Sequence, residues 1–258
     1  MPNNNIQSLW VGEALSAIER LSIRSFLHHG HEYHLFVYQD VKKIPEGVIL
    51  QDANEILPES DIFSYPRGGI SGFSNWFRYE LLYQKGGYWV DTDIVCLKPF
   101  DFEDEYVFGW AAPSRVSNAV LRFSSGNGLM KSLSELCRRP NTFMPYDTLL
   151  VRLGKIWRYL RGNRRSGIIF GETGPKALTS LLRQQGMISN TKPVTCFFPI
   201  PWSRWMTIFD NSLKYDLDFF STCYSIHLYH DQIRRAGFDK DAKFHERSLI
   251  EILKSKYL

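Results

Sequence analysis

The stretch SNWFRYELLYQKGGYWVDTDIVCLKPF, residues 74–100, carries the strongest structural signal in the chain. Its first part has the apolar spacing of a helix, and the pair Gly86-Gly87 is suited to end that helix. An apolar run typical of a strand follows, and Asp91 and Asp93 interrupt it. A buried, ionised carboxylate is strongly destabilising unless it is paired or binds a metal ion. The two aspartates therefore indicate a binding site.

The spacing of the two aspartates predicts that they act together. Residues i and i+2 of a strand point to the same face, so Asp91 and Asp93 should project side by side while Thr92 points away. Neighbouring carboxylates repel each other unless a cation lies close by, and such oxygen ligands suit Mg²⁺ or Mn²⁺ together with diphosphate oxygens. A solvated turn with two acids is the alternative, but the apolar context favours a metal–diphosphate site.

The segments on either side of this stretch predict an α/β fold. Strands are expected within residues 6–12, 33–38 and 47–53, and later at 119–123 and 168–170. Helices are expected around Ala14 to Leu21 and over 70–87, 127–139, 175–186 and 245–258. Ser71 or Ser74 is the expected N-cap of the second helix, and Gly86 its end. The strand–helix–strand opening favours a parallel sheet with crossover helices.

Composition excludes some classes of function. The net charge is only +4, and the chain shows no recognisable nucleic-acid motif, so a nucleic-acid partner is not expected. The four cysteines are scattered and the start of the chain lacks the features of a secretory signal, which favours a cytoplasmic location. No apolar run approaches the length of about 20 residues that a membrane-spanning helix needs.

One segment, residues 152–165, is strongly basic. It contains Arg152, Lys155, Arg158, Arg161, Arg164 and Arg165 with no acidic residue among them. Two interpretations remain open: a solvated helix face, or a surface that meets an acidic substrate or an anionic membrane. In the membrane case the protein would lie peripherally on the inner face, and high salt should release it because electrostatic contacts are screened.

The ordered helix, Gly-Gly pair and D-x-D motif of residues 71–100 resemble those of the DXD-containing sugar transferases related to yeast mannosyltransferases and α1,4-galactosyltransferases. The resemblance extends more distantly to the clostridial glucosylating toxins. Weaker similarities cover SLWVG near the start, FVYQD in the second predicted strand, TGPKAL at 173–178 and YSIHLYH at 224–230. The combined pattern is far more specific than D-x-D alone.

The resemblance implies a GT-A type, Rossmann-like fold with a mixed, mostly parallel sheet flanked by helices. One domain would span 1–258, with a nucleotide-binding half, 1–100, ending in the DXD motif and an acceptor-side half, 101–258, holding the basic segment and the C-terminal helix. The implied reaction is metal-dependent, retaining transfer of a hexose from a nucleotide sugar to a glycan or lipid-linked acceptor. Mn²⁺ or Mg²⁺ would be the metal, and a UDP-sugar is favoured over a GDP-sugar.

The resemblance also implies roles for individual residues. Asp91 and Asp93 would hold the metal and take part in catalysis, and His227 would be a further ligand. The donor would contact Trp10, Gly12, Arg78 and Trp89 in addition to Asp91.

Several positions depart from the family pattern or extend the predicted site. Asn75 stands where the family usually has an aspartate, which leaves open a different donor, a position that tolerates the change, or an inactive homologue. Arg234 or Arg235 would replace a cation that related enzymes carry in the late segment. Asn118 is a candidate for contact with the sugar, and a plain strand-edge role is its equal alternative. Glu172 is a candidate catalytic carboxylate for an oxocarbenium-like transition state.

Two other functions fit parts of the sequence. YWVDTDIV also matches the strand-and-D-x-D pattern of haloacid-dehalogenase-like phosphatases, in which Asp91 would be the nucleophile and Asp93 the acid/base. That class leaves the helix before Gly86 unexplained and requires a later acidic pair that the sequence does not show. The second alternative is a transferase fold that binds a sugar or nucleotide without turnover, which Asn75 keeps open.

Overall fold

The computed structural model describes residues 4–65, 69–162, 165–168, 171–213, 215 and 217–258. The strands found there are β1 Ile6–Trp10, β2 Tyr33–Val37, β3 Val48–Asp52, β4 Gly87–Val90, β5 Ile94–Cys96, β6 Val107–Ala112, β7 Arg115–Phe123 and β8 Ser225–His227. The helices are α1 Ala17–His28, α2 Ser71–Gln84, α3 Gly128–Arg138, α4 Leu149–Leu160, α5 Pro175–Gln184, α6 Val194–Phe197, α7 His230–Arg235 and α8 Leu249–Tyr257. The predicted α/β class is confirmed.

The central sheet has six strands in the order β3-β2-β1-β4-β7-β6. The β3–β2, β2–β1 and β1–β4 pairs are parallel, whereas β7 runs antiparallel to both β4 and β6. The prediction of a mixed, mostly parallel sheet is therefore correct. The sheet joins strands from both halves of the chain, and a separate two-stranded antiparallel sheet pairs β5 with β8.

Apolar cores lie on both faces of this sheet. On one face α2, α3 and α5 contribute buried residues such as Phe77, Leu133 and Leu182. On the other, α1 contributes Phe26 to a cluster with Tyr88 of β4. Burying apolar area on both faces is the main favourable contribution to such a layered fold, and it fixes the strand ends that carry the site.

Helix α2 differs from its prediction at the first residue but not at the last. Ile70 occupies the N-cap position and makes no side-chain capping bond, so neither Ser71 nor Ser74 is the cap. At the other end Gly86 has φ +67°, and a Cβ atom there would lie 2.5 Å from the backbone nitrogen of Ser125. Only glycine fits both the left-handed conformation and the close backbone contact.

The aspartates do not lie inside a continuous strand, so the strand-periodicity argument for their orientation is wrong. Strand β4 ends at Val90, and residues 91–93 form a turn that leads into β5 of the second sheet. Asp91 N donates to the Ala119 carbonyl oxygen, and Ile94 N to the Asp91 carbonyl oxygen. The turn, rather than side-chain alternation, brings the two carboxylates together.

Other differences are local. Helix α1 begins at Ala17 behind a capping box of Ser16 and Glu19, while Ala14 pairs with Lys42 in an isolated bridge. Strand β6 was not predicted. The strand expected at 168–170 lies mostly outside the described residues, and Ile168 itself is in a bend. Among the described residues no helix combines the length and apolarity required to span a bilayer.

Candidate active site

The site forms where the carboxyl ends of β1 and β4 meet the second sheet. Ligands of open α/β sheets commonly bind at such strand ends. In the second sheet Ile94 pairs with His227, and Leu228 N donates to the Asp93 carbonyl oxygen. This pairing brings His227 next to the turn after β4. One ligand atom from each of Asp91, Asp93 and His227 lies within 4.8 Å of the others.

Asp93 is buried and surrounded by histidines. His227 Nε2 lies 3.2 Å and His230 Nδ1 3.6 Å from Asp93 Oδ2, which also accepts a hydrogen bond from the His230 backbone nitrogen at 2.8 Å. Burial alone raises the pKa of Asp93, but the two histidines and these hydrogen bonds hold it well below its usual range. For His227 burial has the opposite effect and lowers the pKa, but the nearby Asp93 carboxylate outweighs it, so the pKa of His227 is raised overall. The pair favours an ionised Asp93.

Asp91 is held by two neighbours. Arg78 Nη1 lies 3.0 Å from Asp91 Oδ1, and Trp89 Nε1 donates a hydrogen bond to the same oxygen at 2.8 Å. The guanidinium of Arg78 also lies over the Trp89 ring, 4.9 Å from its centroid. Such neighbours orient a ligating carboxylate before any ligand binds.

A cavity of about 490 Å³ contains these groups. It is lined by Leu9, Trp10, Val11, Gly69, Ile70, Ser71, Ser74, Arg78, Trp89, Asp91, Thr92, Asp93, Trp202, His227, Tyr229, His230, Asp231, Gln232, Arg234, Arg235 and Lys240. The structure therefore brings the predicted residues Trp10, Arg78, Trp89 and Arg234 to the aspartates. Arg234 and Arg235 both form ion pairs with Asp231.

Trp10 gives the cavity a polar contact suited to a ligand. Its indole Nε1 is buried and has no hydrogen-bond partner among the described residues. Gly12, with φ +153°, does not line the cavity, but a Cβ there would lie 3.3 Å from that nitrogen. Lys240 Nζ lies 5.4 Å from the centre of the Trp10 ring. A buried donor without a partner is costly, so a ligand acceptor at this point would stabilise the site.

Asn75 and Asn118 form a buried amide pair beside the cavity. Asn118 Nδ2 donates to Asn75 Oδ1 at 2.7 Å and to the Tyr79 hydroxyl at 3.1 Å. A Cβ on Gly174 would lie 3.0 Å from Asn75 Nδ2, so the TGP segment approaches this pair closely. The Asn118 carbonyl oxygen also accepts a hydrogen bond from Arg78. Asn75 and Asn118 thus support the residues that line the cavity.

The structure does not place Glu172 at the cavity. Its carboxylate accepts hydrogen bonds from Arg158 Nη1 at 3.1 Å and Nη2 at 3.0 Å, and Lys155 Nζ lies 3.5 Å away. All three side chains are at least nine-tenths buried. A carboxylate held in this way is a counter-ion for buried cations. The catalytic role predicted for Glu172 has no geometric support.

The same ion pairs correct the view of segment 152–165 as a solvated basic face. Lys155 is buried and lies 2.6 Å from Asp147 Oδ2, and Arg158 is buried against Glu172. Arg165 pairs with Asp61 at 2.9 Å. Arg164 lies outside the described residues. Of the three charged side chains of α4, Lys155 and Arg158 face inward, because they have carboxylate partners there, whereas Arg152 is exposed.

Sequence reasoning missed part of the site. Lys240 and Trp202 line the cavity although no motif marks them, and Tyr229 lines it within the segment YSIHLYH but was not predicted as a site residue. His230, the last residue of the segment YSIHLYH, was not predicted as a ligand, yet its backbone nitrogen and its ring both approach Asp93. The spacing of the two histidines was the available signal. Lys240 follows no pattern and is brought to Trp10 by tertiary structure alone.

The donor set fits a divalent metal. Two carboxylates and one imidazole offer the oxygen and nitrogen ligands that Mn²⁺ accepts, and Mg²⁺ would rely on the carboxylates. His230 Nδ1 is a buried nitrogen without a hydrogen-bond partner among the described residues, although it lies near Asp93. A cation at Asp91 and Asp93 would compensate the charge that now attracts Arg78 and the histidines.

The chain therefore has an α/β fold in which a D-x-D motif, Asp91 and Asp93, lies next to His227 at the ends of the strands. Residues 19–108, about a third of the chain, match the family model described as "Glycosyltransferase sugar-binding region containing DXD motif". This match confirms the resemblance inferred from the sequence, and the mixed, mostly parallel sheet agrees with the α/β architecture that the resemblance implied.

The chain is also similar to "Inositol phosphoceramide mannosyltransferase 3" of Schizosaccharomyces pombe, with 28% identity over 161 residues. The match covers 60% of this chain and 40% of that relative, so the chain spans less than half of its length. Among solved structures, "PaToxG Glycosyltransferase" aligns with a TM-score of 0.48 and 14% identity, covering 98% of this chain and 85% of that one. The UDP-bound glycosyltransferase domain of the YGT toxin aligns at 0.47 and 10%, covering 74% and 78%.

Proposed function

We propose that the protein is a metal-dependent, retaining glycosyltransferase that moves a hexose from a nucleotide sugar to a glycan or lipid-linked acceptor. The observation that carries the proposal is the convergence of Asp91, Asp93 and His227 within 4.8 Å in a cavity of nucleotide-binding size. The family match at 19–108 supports the reaction class. The name of the fission yeast relative describes mannosyl transfer to inositol phosphoceramide, which supports a hexose and a lipid-borne acceptor.

Different residues of the cavity would contact different parts of the donor. Asp91, Asp93 and His227 would hold the metal, which when bound supplies positive charge against the departing diphosphate. Arg78, whose guanidinium is buried and already oriented, would pair with oxygens of the donor sugar or its phosphate. Arg234, which also lines the cavity, would contribute a second positive charge.

The base would lie against Trp10. The unpaired indole N–H of Trp10 can donate to a carbonyl oxygen of the base, and its ring offers a stacking face. Gly12 keeps this ring accessible, because a side chain there would press on the indole nitrogen. Of the two nucleotide classes we propose a UDP-sugar in preference to a GDP-sugar. We also propose that the reaction takes place in the cytoplasm, where the acceptor would lie.

The first alternative is a phosphatase with Asp91 as nucleophile. The oxygen Oδ1 of Asp91 is engaged by both Arg78 and Trp89, and the family match accounts for the helix and glycines that a phosphatase leaves unexplained. The second alternative, binding without turnover, rests on Asn75. Its amide is paired with Asn118 in a supporting position, so the substitution does not disrupt the carboxylate–histidine cluster.

The experiment is calorimetric titration with UDP, GDP and their sugars, with and without Mn²⁺, followed by assay of donor hydrolysis. We expect metal-dependent binding of a uridine nucleotide that Asp93→Asn weakens at least about tenfold. Asp101→Asn is the matched control, because Asp101 is exposed and lies outside the cavity lining. Metal-dependent binding without donor hydrolysis would identify a binding protein. No nucleotide binding by the folded wild type would reject the proposal.

A further inference from the structure

Helix α4 exposes its apolar side and buries two of its three charged side chains. Residues 151, 155 and 158 face inward at helical spacing, and Lys155 and Arg158 form buried ion pairs with Asp147 and Glu172. The outward face is apolar and aromatic, with side chains that are 44% to 80% exposed: Leu149, Leu150, Leu153, Ile156, Trp157, Tyr159 and Leu160. A contiguous apolar patch of this kind marks a surface that contacts another apolar phase.

The exposed charges of the chain segment that carries this face are all of one sign. Within residues 138–162, which the structure describes throughout, Asp147 is the only acidic residue, and it is buried. The exposed charged side chains in that range are Arg138, Arg139, Arg152 and Arg161. Arg161 lies over the Trp157 ring and Arg152 over the Phe143 ring, at 4.5 and 5.8 Å from their centroids. The surface thus combines an apolar centre with a cationic border.

A cavity of about 490 Å³ opens between α4 and segment 138–143. Its walls include Arg138, Arg139, Phe143, Ile156 and Tyr159, so apolar and aromatic surface lies next to guanidinium groups. This combination suits an amphiphile with a phosphate at one end and an acyl chain at the other.

We propose that the outward face of α4 docks on an anionic lipid bilayer, lying in the plane of the interface. Tryptophan, tyrosine and arginine are the residues that settle at the boundary between headgroups and acyl chains, and leucines insert below it. A helix of 12 residues is about 18 Å long and lies on such a surface without crossing it. A second copy of this chain is a poorer occupant, since its cationic border would face the same charges.

The inference differs from the expectation of a purely electrostatic association through segment 152–165. Two of the six cations counted there, Lys155 and Arg158, are buried, and a third, Arg165, is paired with Asp61. Attachment would then depend mainly on insertion of apolar side chains, which salt does not screen. It does not depend on the transfer reaction, because none of these residues lines the DXD cavity.

The test is flotation of the full chain with phosphatidylcholine vesicles, with and without phosphatidylglycerol. We expect binding to the anionic vesicles that is largely retained at about 1 M NaCl, where the Debye length is about 3 Å. The double variant Leu150→Glu and Leu153→Glu should lower the bound fraction at least about tenfold, because it adds charge to the inserting face.

Leu50→Glu is the matched control, since Leu50 is a half-exposed leucine on β3, away from α4. Thermal unfolding of each variant verifies that it is folded, and these exposed positions should tolerate the change. Failure of the folded wild type to float, or equal flotation of the α4 variant, would overturn the proposal. So would a dimer in sedimentation that the α4 variant dissociates while vesicles bind nothing, because the face would then be covered by a second copy.

Discussion

The Nε2 atom of His227 lies 3.2 Å from Oδ2 of Asp93, although the two residues are 134 positions apart in the sequence. The contact is set by the pairing of β5 with β8, which aligns His227 with Ile94, the residue directly after Asp93. Because the imidazole and the carboxylate sit in one register of a small sheet, the distance between them is fixed by backbone hydrogen bonds. This rigidity is suited to a preorganised ligand set.

Removing the imidazole should weaken metal binding without unfolding the protein. His227→Gln is expected to lower Mn²⁺ affinity at least about tenfold, because the amide is a poorer ligand and leaves two carboxylates alone. Calorimetric titration with Mn²⁺ measures the change. His245→Gln is the control, since His245 is exposed and remote from the three-residue cluster. Unchanged affinity in His227→Gln would remove His227 from the ligand set.

Metal affinity should increase with pH. His227 binds a metal only when its ligating nitrogen has lost the proton, and the Asp93 carboxylate raises the pKa of this imidazole above its usual value. Protons therefore compete from a higher pH than for an ordinary histidine, while Asp93, whose pKa is held low, stays ionised. We expect Kd for Mn²⁺ to fall by up to about tenfold per pH unit between about pH 5.5 and the raised pKa. A flat profile in wild type, or an unchanged slope in His227→Gln, would contradict this.

Arg78→Lys should not behave as a conservative change. Arg78 is 4% exposed and contacts Asp91, the Asn118 carbonyl oxygen and both the hydroxyl and the carbonyl oxygen of Ser74. A single ammonium group cannot satisfy all of these acceptors, so the free energy of unfolding should fall by about 1–3 kcal/mol. Urea denaturation measures it, and nucleotide titration should show weaker binding as well. If Arg78→Lys kept the wild-type free energy of unfolding and the wild-type nucleotide affinity, the guanidinium group would be dispensable.

Glu172→Gln separates a structural role from a catalytic one. The change removes the buried negative charge that pairs with Arg158 and, at a longer distance, with Lys155. The free energy of unfolding should therefore fall by about 3–5 kcal/mol. Donor hydrolysis per folded molecule should stay near the wild-type value. Chemical denaturation and the hydrolysis assay, run on the same samples, provide both numbers. A stable variant that has lost hydrolysis would restore Glu172 as a catalytic carboxylate.

Gly86→Ala tests the turn that positions the DXD motif. Alanine would adopt φ +67° with its Cβ 2.5 Å from Ser125 N, which adds a clash to the conformational strain. Gly126→Ala is the matched control, because Gly126 has φ +76° and open space around its Cβ position. We expect the control to cost about 1–2 kcal/mol of unfolding free energy and Gly86→Ala a further 1–3 kcal/mol or so. Equal costs would show that the backbone relaxes away from the clash.

The local chemistry of the DXD region was readable from the chain. The helical spacing of α2, the glycines after it and the two aspartates in an apolar context were sufficient to predict the fold class and a candidate metal site at the aspartates. These features depend on short-range geometry: helix periodicity, the left-handed conformation open to Gly86, and the cost of burying charge at Asp93.

Long-range contacts decided the rest. The sequence by itself determined that a carboxylate pair would sit at a strand end, but tertiary structure decided that a turn, not strand alternation, joins Asp91 to Asp93. It also brought His227 and Lys240 to the cavity and took Glu172 away from it. The sequence of α4 predicted a basic segment. In the folded chain Lys155 and Arg158 point inward because Asp147 and Glu172, which lie outside the helix, pair with them, and the apolar side of the helix is left exposed. Charge burial depends on which counter-ion is near, and only the folded chain sets that distance.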